Sequence, residues 1–526
     1  MDYIELRTRS AFSFLEGSAL PEDLVERAAE LGYPALAMGD RDGLYGAPRF
    51  YHRAERAGVR AIVGAELTLD LSSTGAPSGH DPGRDPGDQR LYVLVPDRER
   101  YRNLCRMITA SKLRPLDPIA VEPVAVEQER VAPATPVTRR SRQAAPEAES
   151  RNGRSGASGA ASRELMKKGA SRITLDDLER YGEGLICLAG GARSPLALAL
   201  TRGDDPRALC ERLGTIFGRG NLYIDLGRHL DSAEERLNRR LAALAAACGV
   251  PLVATNDVCH TGDDRALLDT LTCIRLGLTL EEAGRALWAN AERRLKPPAE
   301  MAALFRDLPR AVAATRTIAE RCAFKLCDLG YRFPSYPLPP GETPDSYLRM
   351  LVEAGARERW GPAPGARVLG QLAHELEIIA RLQLAGYFLI VWDIVQFCRE
   401  NRIMAQGRGS AANSAVCYAL GITAVDAVGM ELLFERFLSE ERGEWPDIDI
   451  DLPSGDQREK VIQYVYRRYG ERGAAMTANV ITYRTRSAVR EVGKVLGFTP
   501  EHIDRLARLN YVYEFRDRND ELAALL

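Results

Sequence analysis

No CxxC pair and no dense cysteine framework occur in this sequence; its ten cysteines stand singly, as at Cys105, Cys187, Cys210 and Cys248. That excludes a zinc ribbon and a secreted disulfide scaffold and fits a reducing cytosol. Charge of one sign is also lacking: 71 basic residues face 73 acidic ones, a net charge of −2. The balance gives no whole-chain signal for nucleic acid, although a phosphate-tracking surface needs only local lysines and arginines. Long apolar runs are absent too. The start, MDYIELRTRSAFSFLEG, holds no signal-peptide core, and LAALAAACGVPLVA at 241–254 is interrupted by glycine and proline short of a membrane span. No internal repeat is evident. The remaining pattern reads as a cytoplasmic protein without a membrane partner. Its 526 residues exceed one core and predict roughly three or four domains of about 150 residues each.

The first segment alternates short apolar runs with amphipathic helices. IELRTR, PALAMGD and VRAIVGAELTL read as strands, PEDLVERAAELG and YGAPRFYHRAERAG as helices. Such alternation predicts a parallel α/β sheet or barrel with functional residues at the strand ends. Residues 72–89 are rich in Gly, Pro and Asp and read as a surface loop. Residues 114–170 lack aromatics and any sustained period, and read as a disordered insertion. The α/β pattern resumes at ITLDDLERYGEGLICLAGG and runs through NLYIDLGRHL and VPLVATNDVCH. After about residue 290 the chain turns mainly helical, with one long helix predicted over AHELEIIARLQLAGY and a proline-rich joint at 333–344.

The sharpest motif is EWPDIDIDLPSG at 444–455. On a strand, alternate side chains share a face, so Asp447, Asp449 and Asp451 stand together while Ile448 and Ile450 are buried behind them. Alternate carboxylates lie about 7 Å apart along a strand, near enough to bridge a pair of divalent ions about 3.5–4 Å apart. Hard oxygen ligands select Mg²⁺ or Mn²⁺. The blander alternative is a solvated edge strand whose acids discourage aggregation. Upstream, MAQGRGSAANSAVCYALGI places Gly407 and Gly409 in a tight turn, with Ser410 capping a helix from about Ala411 and Arg408 beside it. Turn amides with a helix N-terminus behind them make a site for phosphates, and Arg408 adds a charge-assisted contact. Alternatively this is a plain glycine loop with a serine cap. A phosphate turn followed by a D-x-D strand is the general layout of nucleotidyltransferase palms. Downstream, Arg486, Arg490 and Lys494 share one helical face after Tyr483 and Arg484, which suits contacts to a DNA backbone or a solvated helix face alike.

GRGSAANSAVCYALGIT, LLFERFLSEERGEWPDIDIDLPSGDQREKVIQYVYRRYG and NVITYRTRSAVREVGKVLG closely resemble bacterial C-family DNA polymerases, the DNA polymerase III alpha subunits, and most of all the error-prone, damage-associated branch. The resemblance covers the chain apart from the 114–170 insertion. It implies an α/β fold with an N-terminal PHP-type barrel over 1–290, an α+β palm over 291–478 and the start of a helical thumb over 479–526. It also implies template-directed, error-prone DNA synthesis with two Mg²⁺ ions on Asp447 and Asp449, Asp451 being secondary. The implied partners are primer–template DNA, dNTPs and, through regions beyond residue 526, a sliding clamp and other damage-tolerance proteins. A third palm carboxylate is also implied beyond the thumb, so this chain reads as an incomplete fragment.

The PHP portion departs from the family pattern. The expected HxH pair reads Arg7-Thr8-Arg9, a following Asp-His reads Asp40-Arg41, and a later histidine position reads Cys259, with His260 one place on. Glu16, Glu66, His229 and Asp257 remain as ligand types. Three guanidinium groups in a cation site oppose a multinuclear metal cluster, so a vestigial, structural domain without bound metal is expected. A PHP-type phosphoesterase and a non-catalytic DNA-binding scaffold remain the competing readings.

Overall fold

The computed structural model describes residues 3–70, 89–113, 172–262, 264–330, 336–438, 446–477 and 479–509. The body of the 72–89 loop, the 114–170 insertion and the first residues of the proline-rich joint lie outside the described residues. The chain divides into two compact units, 1–329 with 482–526, and 330–481.

In the first unit, seven strands form one sheet: β1 (Ala35–Arg41), β2 (Arg60–Asp70), β3 (Gln89–Leu94), β4 (Ile173–Thr174), β5 (Ile186–Leu188), β6 (Leu222–Leu226) and β7 (Leu252–Ala254). Their order is β1-β2-β3-β5-β6-β7, with β4 beside β2. Both faces are buried: Leu36, Val63, Val93 and Ile224 pack on one, Ala37, Ile62, Tyr92 and Tyr223 on the other. That explains the near-continuous apolar character of the strands. The helices α1 (Pro21–Glu30), α2 (Ala47–Ala57), α3 (Arg98–Leu113), α4 (Leu175–Tyr181), α5 (Pro195–Arg202), α6 (Arg207–Phe217), α7 (Ser232–Cys248), α8 (Arg265–Leu276), α9 (Leu280–Ala283), α10 (Pro298–Leu304) and α11 (Pro309–Arg321) complete the α/β layers. In α1 the apolar stripe Leu24, Val25 and Ala28 is buried, and Pro21 occupies the first turn, where its missing N–H costs nothing.

Two expectations need correction here. The sheet is mixed, not parallel: β3 runs antiparallel to β2 and β5, since a strand returning beside its predecessor needs no crossover. IELRTR is extended but is no regular strand, having a single bridge from Thr8 to Val258. Its hydrogen bonds go both ways. Ala37 N donates to Glu5 O (3.0 Å) and Gly39 N to Thr8 O (2.9 Å), while Arg9 N donates to Val258 O and Val258 N to Arg7 O, both at 2.9 Å. The segment therefore ties β1 to the stretch after β7 and curls the sheet toward a barrel.

The second unit holds α12 (Pro344–Trp360), α13 (Ala366–Arg381), α14 (Ala385–Glu400), the ribbon of β8 (Gln406–Arg408) and β9 (Asp449–Asp451), α15 (Ala415–Ala419) and α16 (Asp456–Gly473). The long helix expected over 373–387 breaks at Leu382–Leu384. Gln383 takes a left-handed φ of 57°, and Leu384 N donates back to Ile379 O at 2.9 Å, closing α13 as a glycine would. The axes of α13 and α14 bend by 115°, and among the described residues no single helix is long and apolar enough to cross a membrane. The apolar faces of this pair (Leu372, Leu376, Ile379, Phe388 and Leu389) form the core of the second unit. Finally, α17 (Thr485–Val495) and α18 (Pro500–Leu509) pack in the first unit.

Candidate functional site

Two places gather the chemistry. The first lies at one end of the seven-stranded sheet, where β1, β2 and β6 end and the antiparallel β3 begins. Arg7 there donates to Glu66 (2.8 Å) and Asp225 (2.7 Å) and sits 3.1 Å from Asp257. Arg9 pairs with Asp257 and lies 3.8 Å from both Glu16 and Glu66. Arg41 donates to Glu16 at 2.5 Å. Arg7, Arg9 and Arg41 thus all contact the neighbouring acids.

Three further arginines and one acid complete the cluster, and none was singled out from the sequence. Arg90, with no exposed side-chain surface, grips Glu16 with two nitrogens and reaches Glu66 at 3.1 Å. Arg193 lies 3.9 Å from Glu16, and Arg293 pairs with Asp257. Asp225 also accepts from Gly190 N at 2.5 Å, and a Cβ on Gly191 would fall 2.3 Å from the Arg7 guanidinium and displace it. A signal existed for Arg90 and Asp225: a charged residue inside apolar runs such as QRLYVL and LYIDL must find a buried partner.

The electrostatics follow from burial and pairing. Burial alone would raise Glu16, but Arg90 and Arg41 hold its carboxyl well below the usual range. Glu66 is likewise buried and is brought down to about 2 by Arg9, Arg90 and Arg7. Asp257 is held far down by Arg9, Arg7 and Arg293. Burial, with Arg90 alongside, lowers Arg193 to about 10.

The remaining ligand types are engaged differently. Asp40 accepts from Ser10 N (2.7 Å), Ser10 Oγ and Ser13 Oγ (2.7 Å). His229 has both ring nitrogens occupied, by Glu234 (2.7 Å) and the Asn256 carbonyl (2.8 Å). Cys259 is pushed up to about 12 by burial. His260 faces Asp264 at 3.6 Å. These residues do not fit a metal cluster: cations already fill the space between the acids. Metal analysis of the purified protein is expected to find zinc and manganese well below one ion per chain; a stoichiometric ion retained here would contradict that.

Glu5, in the segment behind this cluster, sets a pH dependence. Burial raises its carboxyl to about 7 despite hydrogen bonds from Tyr3, Arg7 N and Asn256 N. A folded-state value above the unfolded one means that the folded protein holds the extra proton. The associated stability is therefore present below about pH 4.5 and lost as pH rises to about 7. Glu66 acts oppositely, its contribution being present above about pH 4.5 and lost as pH falls toward 2. Glu5→Gln, which mimics the protonated form, is expected to remove up to about 3 kcal/mol of the decline between pH 4.5 and 7. Denaturant melts at several pH values test this, and an unchanged slope in the variant would refute it.

The second place is the ribbon. β8 and β9 pair antiparallel, with Gln406 opposite Asp451, Gly407 opposite Ile450 and Arg408 opposite Asp449. Asp447, Asp449 and Asp451 are exposed, while Ile448 is buried and Ile450 half-buried between them. The acids therefore share a face. Arg408 lies across that face, 3.0 Å from Asp451 and 3.6 Å from Asp449. Gly407 donates to Ile422 O at 2.7 Å, leaving no room for a Cβ. Gly409 takes φ +69°, and a Cβ placed on it would lie 3.8 Å from the Asp449 carboxylate, so turn and acids adjoin. Ser410 Oγ donates to the Asp447 carbonyl at 3.4 Å. The three carboxylates are hard oxygen donors of the type a divalent cation takes, but Arg408 pairs with two of them, and among the described residues no group of three or more His, Cys, Asp or Glu is arranged to hold a metal ion.

One element of the expectation fails. Ser410 caps no helix; residues Gly409–Asn413 form a 3₁₀ turn, and the following α15 is capped by Ser414. Its first amides are already taken, Ala415 N and Val416 N by Glu375 and Cys417 N by Ser414. A helix N-terminus is therefore not available to an anion here, and a phosphate would meet only the turn and Arg408.

The basic residues after residue 483 belong to the first unit, and the ribbon to the second. Arg490 pairs with Asp504 at 2.6 Å and Lys494 with Glu491 at 2.7 Å, so two of the stripe's three charges are compensated, whereas Arg484 and Arg486 are exposed.

The model of the bacterial DNA polymerase III alpha NTPase domain matches residues 346–519, and that of the PHP domain residues 5–131. A protein named error-prone DNA polymerase in Mycolicibacterium paratuberculosis is 42% identical over 503 residues, covering 94% of this chain and 41% of the relative. Relatives of the same name in an Anaeromyxobacter species and in Rhodopirellula baltica are 38% and 37% identical, covering 97% and 99% of this chain and 46% and 40% of their own lengths. The chain spans less than half the length of these relatives.

Proposed function

We propose that this chain, a homologue of bacterial error-prone DNA polymerases carrying a PHP domain and a DNA polymerase III alpha domain, supplies the first part of a nucleotidyl-transfer centre for template-directed DNA synthesis in damage tolerance. The observation that supports this most is the adjacency of the Gly407–Ser410 turn and the acidic face of Asp447 and Asp449 in one ribbon. In this reading the turn and Arg408 hold the triphosphate of an incoming dNTP, and Asp447 and Asp449, with Asp451 nearby, hold two Mg²⁺ ions. Bound there, the ions would activate the attacking oxygen and neutralise the leaving pyrophosphate. The residues themselves orient and neutralise. Ile448 and Ile450, packed into the core, keep the carboxylates turned outward, and Arg408 can exchange its carboxylate partners for phosphate oxygens.

DNA is the macromolecular partner in this reading, with Arg484 and Arg486 the exposed cations available to its backbone. The PHP unit serves as a metal-free structural domain, since its acids are paired with arginines. Primer extension by the full-length protein, with and without Mg²⁺, tests the reading; synthesis undiminished by loss of Asp447 or Asp449 would reject it.

A further inference from the structure

We infer that Glu375, on α13, is a positioning residue for the nucleotide-phosphate turn, an inference that rests on the proposed role of Gly407–Ser410. Glu375 is fully buried, and each carboxylate oxygen accepts twice. Oε1 takes Gln371 Nε2 (2.9 Å) and Ala415 N (2.9 Å), while Oε2 takes Ser414 Oγ (2.7 Å) and Val416 N (3.0 Å). A buried charge is tolerated only when so fully satisfied. Burial pushes this carboxyl up, and the four donors work against that rise.

The carboxylate acts as an internal anion at the start of α15, two residues beyond the Gly409–Asn413 turn. The path of the turn is thereby fixed at both ends. Its front is paired to β9, with Gly407 opposite Ile450. Its back is bound through Ser414, Ala415 and Val416 to a helix of the core. Asn413 Nδ2 also donates to Ser410 O at 3.0 Å within the turn. Asp447 and Asp449 make none of the four bonds to Glu375. Glu375 therefore acts directly on how the turn meets a triphosphate, and on the acids only through the turn.

Glu375→Gln keeps the shape but sets an NH₂ group against backbone N–H donors, so the anchor is lost with little change in volume. In the full-length protein, the variant is expected to raise KM for the incoming nucleotide at least about tenfold while kcat changes less than about threefold. Hydrogen exchange at Ala415 and Val416 should accelerate in parallel. If protection is lost and KM stays the same, Glu375 is merely structural and the inference fails. A fall in kcat at constant KM would overturn it equally. Should Glu375→Gln not fold, Ser414→Ala, which removes one donor and the cap, carries the same measurement with a smaller KM shift. Asp449→Asn, run alongside, separates the two claims: full activity in that variant rejects the proposed site itself, whatever Glu375 does.

Discussion

Asp449→Asn in the full-length protein should lower the rate of primer extension by ~10³-fold, and Asp447→Asn by a comparable factor. Asparagine keeps the size and the strand position but removes the negative charge that a hard divalent ion requires. Loss of metal-based charge stabilisation is worth several kcal/mol, and about 4 kcal/mol corresponds to ~10³-fold. Asp451→Asn should cost far less, below about tenfold, because this carboxylate engages the exposed Arg408 at 3.0 Å and an exposed ion pair contributes about 1 kcal/mol or less. DNA binding should hold in all three variants, since no phosphate contact is removed. Single-turnover extension with a saturating primer–template is the measurement. A residual rate above about a tenth in both Asp447→Asn and Asp449→Asn would remove these residues from the catalytic centre.

The acidic face was legible in the sequence because it needs only the two-residue period of a strand and apolar partners between the acids. Ile448 and Ile450 supplied those, and the core of the second unit receives them. The adjoining turn was legible for a similar local reason, as Gly407 and Gly409 meet steric demands that other residues cannot. The start of the next helix was not legible. Which serine caps α15 depends on Glu375, about forty residues earlier, and a long-range hydrogen bond leaves no period in the sequence. The break between α13 and α14 was hidden in the same way, because Gln383 takes the left-handed position that glycine ordinarily marks. In the first unit, Arg7, Arg9 and Arg41 stood out against a family pattern. Arg90 and Asp225 sit inside apolar strands, where only the curled sheet reveals that they face the same cluster.

Arg90→Met is expected to destabilise the first unit by about 3–5 kcal/mol, the usual cost of stripping one partner from a buried ion pair. Arg90 has no exposed side-chain surface and serves Glu16 and Glu66 together. Without it, Glu16 keeps Arg41 at 2.5 Å but loses its two-pronged partner, and Glu66 keeps Arg7 at 2.8 Å. The penalty is the desolvation of carboxylates no longer fully compensated, not the loss of packing, since methionine fills much of the same volume. A second replacement distinguishes these causes. In Arg90→Met with Glu16→Gln, the uncompensated charge is gone and Arg41, partly exposed, can turn to solvent. The double variant should therefore be more stable than the sum of the two single changes by about 1–3 kcal/mol. Cavity formation would instead leave the changes additive. Thermal melting supplies the check, with a fall of about 10 °C expected for Arg90→Met at roughly 2–4 °C per kcal/mol. A melting point within about 2 °C of the parent would mean that Arg41, Arg193, Arg7 and Arg9 stabilise Glu16 and Glu66 without Arg90.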